Sequence, residues 1–195
     1  CSGSQKGYMI PPGLGFVAMG ERAWAAQKQS DLPKFYLDPE RYRKAAAGNS
    51  NPFTPPVNLY FALEAALDLM QDEGLEAIFA RHDRHRRASQ AAMRALGLPL
   101  FAADGYGSPA ITAVAPVGLD AEALRKAVKG RYDILLAGGQ DHLKGKVFRI
   151  GHLGFVCDRD VLTAVAAIEG ALADLGAASA QPGAGVAAAA AVLQA

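Results

Sequence analysis

Three side chains in this sequence combine the chemistry and the setting to act on a small molecule: Lys6, Thr54 and Arg149. Lys6 ends the run Ser2-Gly3-Ser4-Gln5-Lys6, and the stiff turn Pro11-Pro12-Gly13-Leu14-Gly15 follows it. An amine that attacks a carbonyl must sit where it is partly desolvated and loses its proton readily. Rigid backbone on both sides suits that need, although a lysine so placed is ordinarily solvated surface. Arg149 stands inside the apolar run Val147-Phe148-Arg149-Ile150. A planar guanidinium grips a carboxylate through two parallel hydrogen bonds, and an arginine in such a run needs a partner. The plainer reading is an edge-strand arginine facing water. Thr54 precedes a helix start, where a hydroxyl can join free N–H groups in binding phosphate or simply cap the helix.

The elements that must hold these groups follow from spacing. Residues 13–19 predict a short buried strand, and 21–29 a helix. Five prolines between 30 and 58, with Gly48 and two asparagines, exclude long regular structure there. Phe35, Tyr36, Tyr42 and Phe53 make that stretch an ordered traverse, functional or interfacial in character. Leu59, Ala62, Leu63, Ala66, Leu67 and Met70 recur at three and four, which predicts an amphipathic helix over 57–72. A second helix is expected over 74–96, ended by Gly97 and Pro99. Strands are expected at 111–117, 132–139 and 146–154. Helices are expected at 119–130, with Gly130 as its stop, and at 158–176, with Asp158 as N-cap. From residue 57 the order is α-α-β-α-β-β-α, a small α+β layer domain with helices on one face of the sheet. Residues 177–195 read as a frayed Ala/Gly tail. Within strand 146–154, alternation puts Phe148 and Ile150 on one face, with Val147 and Arg149 on the other.

The chain has 195 residues, 51% hydrophobic, with 20 Lys and Arg against 19 Asp and Glu. That balance carries no electrostatic footprint for nucleic acid. No apolar run approaches the roughly 18 residues that span a bilayer, and the first residues lack a charged-then-apolar pattern. Cys1 and Cys157 have no C-x-x-C spacing, which speaks against a disulfide framework or an iron–sulfur site and makes the cytoplasm the default location. The run RHDRHRR at 81–87 reads as a solvated basic helix face in preference to a metal site on His82 and His85. GGQDHLKGK at 138–146 has the wrong spacing for a phosphate loop, with Val147 where Ser or Thr belongs. No G-x-S-x-G elbow is present. His142 and His152 are isolated and receive no role.

SGSQK followed by PPGLG resembles the cofactor-lysine segment of class V, fold-type I pyridoxal-phosphate aminotransferases, in the alanine–glyoxylate and serine–glyoxylate branch. NPFTPPVNLYFALEAAL at 51–67 and GGQDHLKGKVFRIGHLG at 138–154 extend the resemblance in the family's order. The resemblance implies that Lys6 forms the Schiff base with pyridoxal 5'-phosphate and moves the proton in transamination. It implies that Gln5 contacts the cofactor phosphate, that Thr54 reaches across a homodimer interface to the partner's phosphate, and that Arg149 pairs with the substrate carboxylate. Substrates would be a small amino acid such as alanine or serine and a keto acid such as glyoxylate. Asn51 stands where some relatives carry tyrosine, so substrate contacts would differ there.

In the family the cofactor lysine lies near mid-chain. The expectation is therefore a C-terminal fragment of an aminotransferase about twice this length, inactive by itself. It divides into a large-domain remnant (1–29), an interface segment (30–56), the small domain (57–176) and the tail (177–195). Two rivals remain. One is a non-catalytic dimerisation or binding subunit, since some bacterial relatives carry a soluble-hydrogenase label. The other is a cysteine desulfurase, which needs a mobile cysteine, whereas Cys157 reads as buried.

Overall fold

A computed structural model of the chain describes residues 1–178 and 180–195. Two compact units emerge, Cys1–Asp72 and Glu73–Ala195.

In the first unit, β1 (Ser2–Gly3) pairs antiparallel with β2 (Gly15–Phe16). The buried strand expected over 13–19 is thus only two residues long, and Val17 is exposed. A strand extends only as far as the edge it pairs with, and β1 offers two residues. Helix α1 (Glu21–Gln29) falls where the sequence places it. Helix α2 (Pro39–Ala47), nine residues long, is the regular element within 30–58, a stretch expected to hold no long regular structure. Asp38 accepts the Glu40 N–H at 3.1 Å as N-cap, and Pro39 opens the first turn, where a missing N–H costs nothing. This proline starts a helix instead of breaking one. The rest of the traverse is ordered by its aromatics, with the Phe53 ring 4.8 Å from Tyr36 and 5.6 Å from Phe35.

Helix α3 (Val57–Glu73) bears out the period of its apolar residues but not their burial. Of its stripe only Ala66 is fully buried, while Tyr60, Phe61, Leu67 and Leu69 are exposed. Ser4 and Ala66 are the fully buried residues of this unit.

The second unit has a conventional core. Helix α4 (Leu75–Ala95) precedes β3 (Ile111–Val114), α5 (Ala121–Tyr132), β4 (Ala137–Gly138), β5 (Phe148–Gly151), α6 (Asp158–Asp174) and α7 (Ala184–Leu193). The sheet runs β3-β5-β4, antiparallel throughout, so β5 is central. Phe148 and Ile150 point into a core shared with Leu124 and Val128 of α5, Val165 and Ile168 of α6, and Met93 of α4. The α+β class and the element order expected from residue 57 both hold.

Several local expectations do not hold. The strands are shorter than their apolar runs. Gly130 lies inside α5, which ends at Asp133 in the left-handed region (φ 53°). Cys157, not Asp158, is the N-cap of α6; it is exposed, and its N–H donates to Asp160 at 2.9 Å. The tail is not frayed, because α7 packs on the core through fully buried Ala189. At Gly185 a Cβ would come within 2.9 Å of the Leu96 side chain, so small residues let this helix approach closely.

The basic run on α4 is a clasp, not a solvated face. His85 is fully buried, its Nε2 2.8 Å from Asp158, which also accepts from Arg84. Arg81 donates to the carbonyls of Gly154 and Val156, at 2.9 Å each, and pairs with Glu73. His82 Nε2 accepts the Gly154 N–H, so its Nδ1 must donate to the Ile78 carbonyl. Arg81, His82, Arg84 and His85, within little more than one turn of α4, thus fix the corner between β5 and α6.

Burial lowers the His85 imidazole against the pull of Asp158, and lowers His152, which touches Thr112 at 2.9 Å, to about 4. Unfolded imidazoles titrate near 6.5. Between those values the unfolded chain binds more protons, so stability present above about pH 6.5 is lost as pH falls toward 4. The His152 contribution is on the order of 2–3 kcal/mol. Urea unfolding followed at pH 7 and pH 4.5 should show this loss, and His152→Gln should reduce its slope. An unchanged slope in that variant would contradict the assignment.

Candidate functional site

The Lys6 turn is built around one buried hydroxyl. Ser4 is fully buried; its Oγ donates to the Pro11 carbonyl at 2.7 Å and accepts the Leu14 N–H at 3.1 Å. Its backbone N–H donates to Leu14, and its carbonyl accepts from Ile10. The Lys6 N–H closes a turn onto Gly3 at 3.2 Å, and the Lys6 carbonyl accepts from Met9, whose φ is +66°. Gln5 folds back over Gly3, where a Cβ would meet its Oε1 at 2.7 Å. A side chain at position 3 would displace the Gln5 amide from this position. The sequence placed a rigid turn here, but not the serine that makes it rigid. That signal was present as a small polar residue between a strand and a proline pair.

Lys6 projects from this turn, exposed, and its amine makes no hydrogen bond or ion pair among the described residues. Thr54 is also exposed. Helix α3 begins with Val57, Leu59 and Tyr60 N–H groups directed at Pro55 and Pro56 carbonyls, so Thr54 does not cap it. The first turn of α3 holds no acidic residue, which leaves its positive end uncompensated. No hydrogen bond joins Thr54 to Gln5 or Lys6 among the described residues.

Arg149 lies in the second unit, on the face of β5 away from Phe148 and Ile150, as alternation predicts. Its Nε donates to the Gly138 carbonyl at 2.9 Å. Strand pairing sets that contact, since Ala137 stands opposite Arg149 and Gly138 opposite Phe148. With Nε held, the two terminal nitrogens are left free, and no carboxylate of the described residues pairs with them. A half-buried guanidinium with its fork free has the geometry to receive a planar anion. Gly139 turns the chain out of β4 beneath Leu143, where a Cβ would lie 2.0 Å from the Leu143 carbonyl oxygen.

The donor set can be tested against pyridoxal phosphate by its chemistry. An unpaired amine suits the aldehyde, and an amide beside it with a free hydroxyl at an uncompensated helix start suits the phosphate. Residues 1–20 contain no carboxylate to pair with the ring nitrogen. The residues present fit the covalent and phosphate ends of the group. Among the described residues no three His, Cys, Asp or Glu side chains converge to hold a metal ion.

No protein-family model matches the chain. Individual relatives do. The chain is 66% identical to the "soluble hydrogenase, small subunit" of a Synechococcus species, over 98% of this chain and 50% of that protein. It is 38% identical to the serine–glyoxylate aminotransferase of Methylorubrum extorquens, over 99% of this chain and 50% of that enzyme. The solved structure of pyridoxamine–pyruvate aminotransferase from Mesorhizobium loti superposes with a TM-score of 0.89 at 36% identity, covering 96% of this chain and 49% of that one. The chain thus spans about half the length of the relatives it matches.

The Ser4 clamp makes its own prediction. Ser4→Ala leaves the Leu14 N–H and the Pro11 carbonyl without their partner, at a cost of about 1–3 kcal/mol. Hydrogen exchange at the Leu14 amide should quicken by roughly ten-fold or more, while amides of the second unit keep their rates. Unchanged exchange at Leu14 would show that the turn does not depend on this hydroxyl.

Proposed function

We propose that this chain, a homologue over nearly all its length of the glyoxylate and pyruvate aminotransferases, is the half of a pyridoxal-phosphate aminotransferase that carries the cofactor lysine and the substrate-carboxylate arginine. The single observation that carries this reading is the unpaired amine of Lys6 on a turn locked by buried Ser4. The aminotransferase names of the serine–glyoxylate and pyridoxamine–pyruvate relatives support the enzyme class of this reading.

When bound, the cofactor supplies a carbonyl for attachment and a ring that takes up the electron pair left by a departing α-proton. Lys6 Nζ is the attachment point. Once released, the same nitrogen takes the proton from the substrate α-carbon and returns it during the second half of the exchange. Gln5 and Thr54 donate to the phosphate, Thr54 toward the cofactor of a second subunit. Arg149 holds the α-carboxylate through both terminal nitrogens, which fixes the α-carbon for proton removal. The donor is a small amino acid such as alanine or serine, and the acceptor a keto acid such as glyoxylate.

The first unit exposes Phe35, Tyr36, Leu37, Phe61 and Leu69 with few buried residues of its own. Apolar surface of that extent supports an interface, and a homodimer is the proposed assembly. By itself the chain is proposed to attach the cofactor without turning over, since the Lys6 turn offers no carboxylate to the ring nitrogen. The hydrogenase name of the 66%-identical relative supports a second reading, a non-catalytic binding subunit.

Absorbance titration separates the two. The chain should develop the visible band of a protein-bound imine with pyridoxal phosphate, and Lys6→Ala should reduce it at least ten-fold. Thr54→Ala should weaken binding of pyridoxal phosphate but not of pyridoxal, which lacks the phosphate. A band equal in the Lys6→Ala variant would overturn the enzyme reading and leave the binding subunit.

A further inference from the structure

Arg149 is only as well aimed as the carbonyl that holds it, and that carbonyl belongs to a strand of two residues. Two hydrogen-bonded residues at a sheet edge fray readily, so β4 needs another support. Helix α5 provides one. Arg125 Nε donates to the Leu136 carbonyl at 2.7 Å, just before β4, and its Nη1 pairs with Glu122 at 2.5 Å. The Arg125–Glu122 pair lies against Gly138 itself. A Cβ there would stand 2.6 Å from Arg125 Nη1 and 2.7 Å from Glu122 Oε1. The far end of the same hairpin is also tied to α5, because the Ala121 N–H donates to the Gly145 carbonyl at 3.1 Å.

We infer that Arg125, oriented by Glu122, is a positioning residue that presses β4 into place so that the Gly138 carbonyl holds Arg149 for a carboxylate ligand. The inference rests on the carboxylate role of Arg149 proposed above. Arg125 touches no substrate; it acts through the peptide of Gly138. A side chain at 138 would push the Arg125 guanidinium and the Glu122 carboxylate out of their present positions. A lysine at 125 lacks the planar fork that reaches a carbonyl and a carboxylate in two fixed directions.

The test uses the chain with nitrogen-labelled arginine, the Arg149 Nε–H signal being assigned by its loss in Arg149→Lys. In the native chain this proton should exchange slowly with water, and acetate titrated against chloride at constant ionic strength should shift it. Arg125→Met should speed its exchange at least ten-fold and weaken acetate binding by about ten-fold, the scale of one lost charge-assisted hydrogen bond. Arg125→Lys should not restore either. Gly138→Ala keeps Arg125 but displaces it from the other side, and should give the same two losses; it carries the test if the methionine variant does not fold. Slow exchange persisting in both variants overturns the inference, and so does faster exchange with unchanged acetate binding. A native chain in which acetate leaves Arg149 unmoved removes the carboxylate role first and the positioning role with it.

Discussion

A central strand whose alternate residues belong to the core has no freedom in where the others point. Phe148 and Ile150 of β5 are buried; Phe148 pairs with Val114 on one side and Gly138 on the other, and Ile150 pairs with Thr112. Sliding the strand by one residue would expel Phe148 and drive Arg149 into the apolar layer. Burying Phe148 alone stabilises the unit by about 1.5–3 kcal/mol, and an unpaired guanidinium in the core would cost more still. The direction of Arg149 therefore follows from hydrophobic packing. Only the fine aim of its fork is left to hydrogen bonds from the neighbouring strand.

The Lys6 turn reaches rigidity by a different route. A single buried serine satisfies a carbonyl and an N–H that the proline turn would otherwise leave unpaired. Polar clamps of this kind are sensitive to any loss of a partner. The first unit thus holds its reactive group by local hydrogen bonding, and the second by a packed sheet. The clasp of Arg81, His82, Arg84 and His85 on the corner after β5 adds a polar lock to the second unit.

Periodicity revealed α3, α4 and α6 because long helices repeat their apolar residues many times. It overstated the strands, since an apolar run such as 132–139 shows hydrophobicity but not the partner edge that limits pairing to Ala137–Gly138. Pro39 was legible as a breaker and in fact begins a helix, because the Asp38 cap decides which role a proline takes. The alanine-rich tail looked structureless, yet its small side chains are what permit close packing on α4. His85 could not be read at all, for its partner Asp158 lies more than seventy residues away and its neighbours in sequence are all charged. The outward face of Arg149 was legible; the Gly138 carbonyl that fixes it and the Arg125 brace behind it were not.

The reactive amine of Lys6 is the claim on which the functional reading stands. Borohydride reduction of the chain with substoichiometric pyridoxal phosphate, followed by peptide mass mapping, measures it directly. Label concentrated on the peptide carrying Lys6, ahead of the exposed Lys144 and Lys146, is the predicted result. Label spread evenly over the exposed lysines would contradict it, because the turn would then confer nothing on the amine it carries.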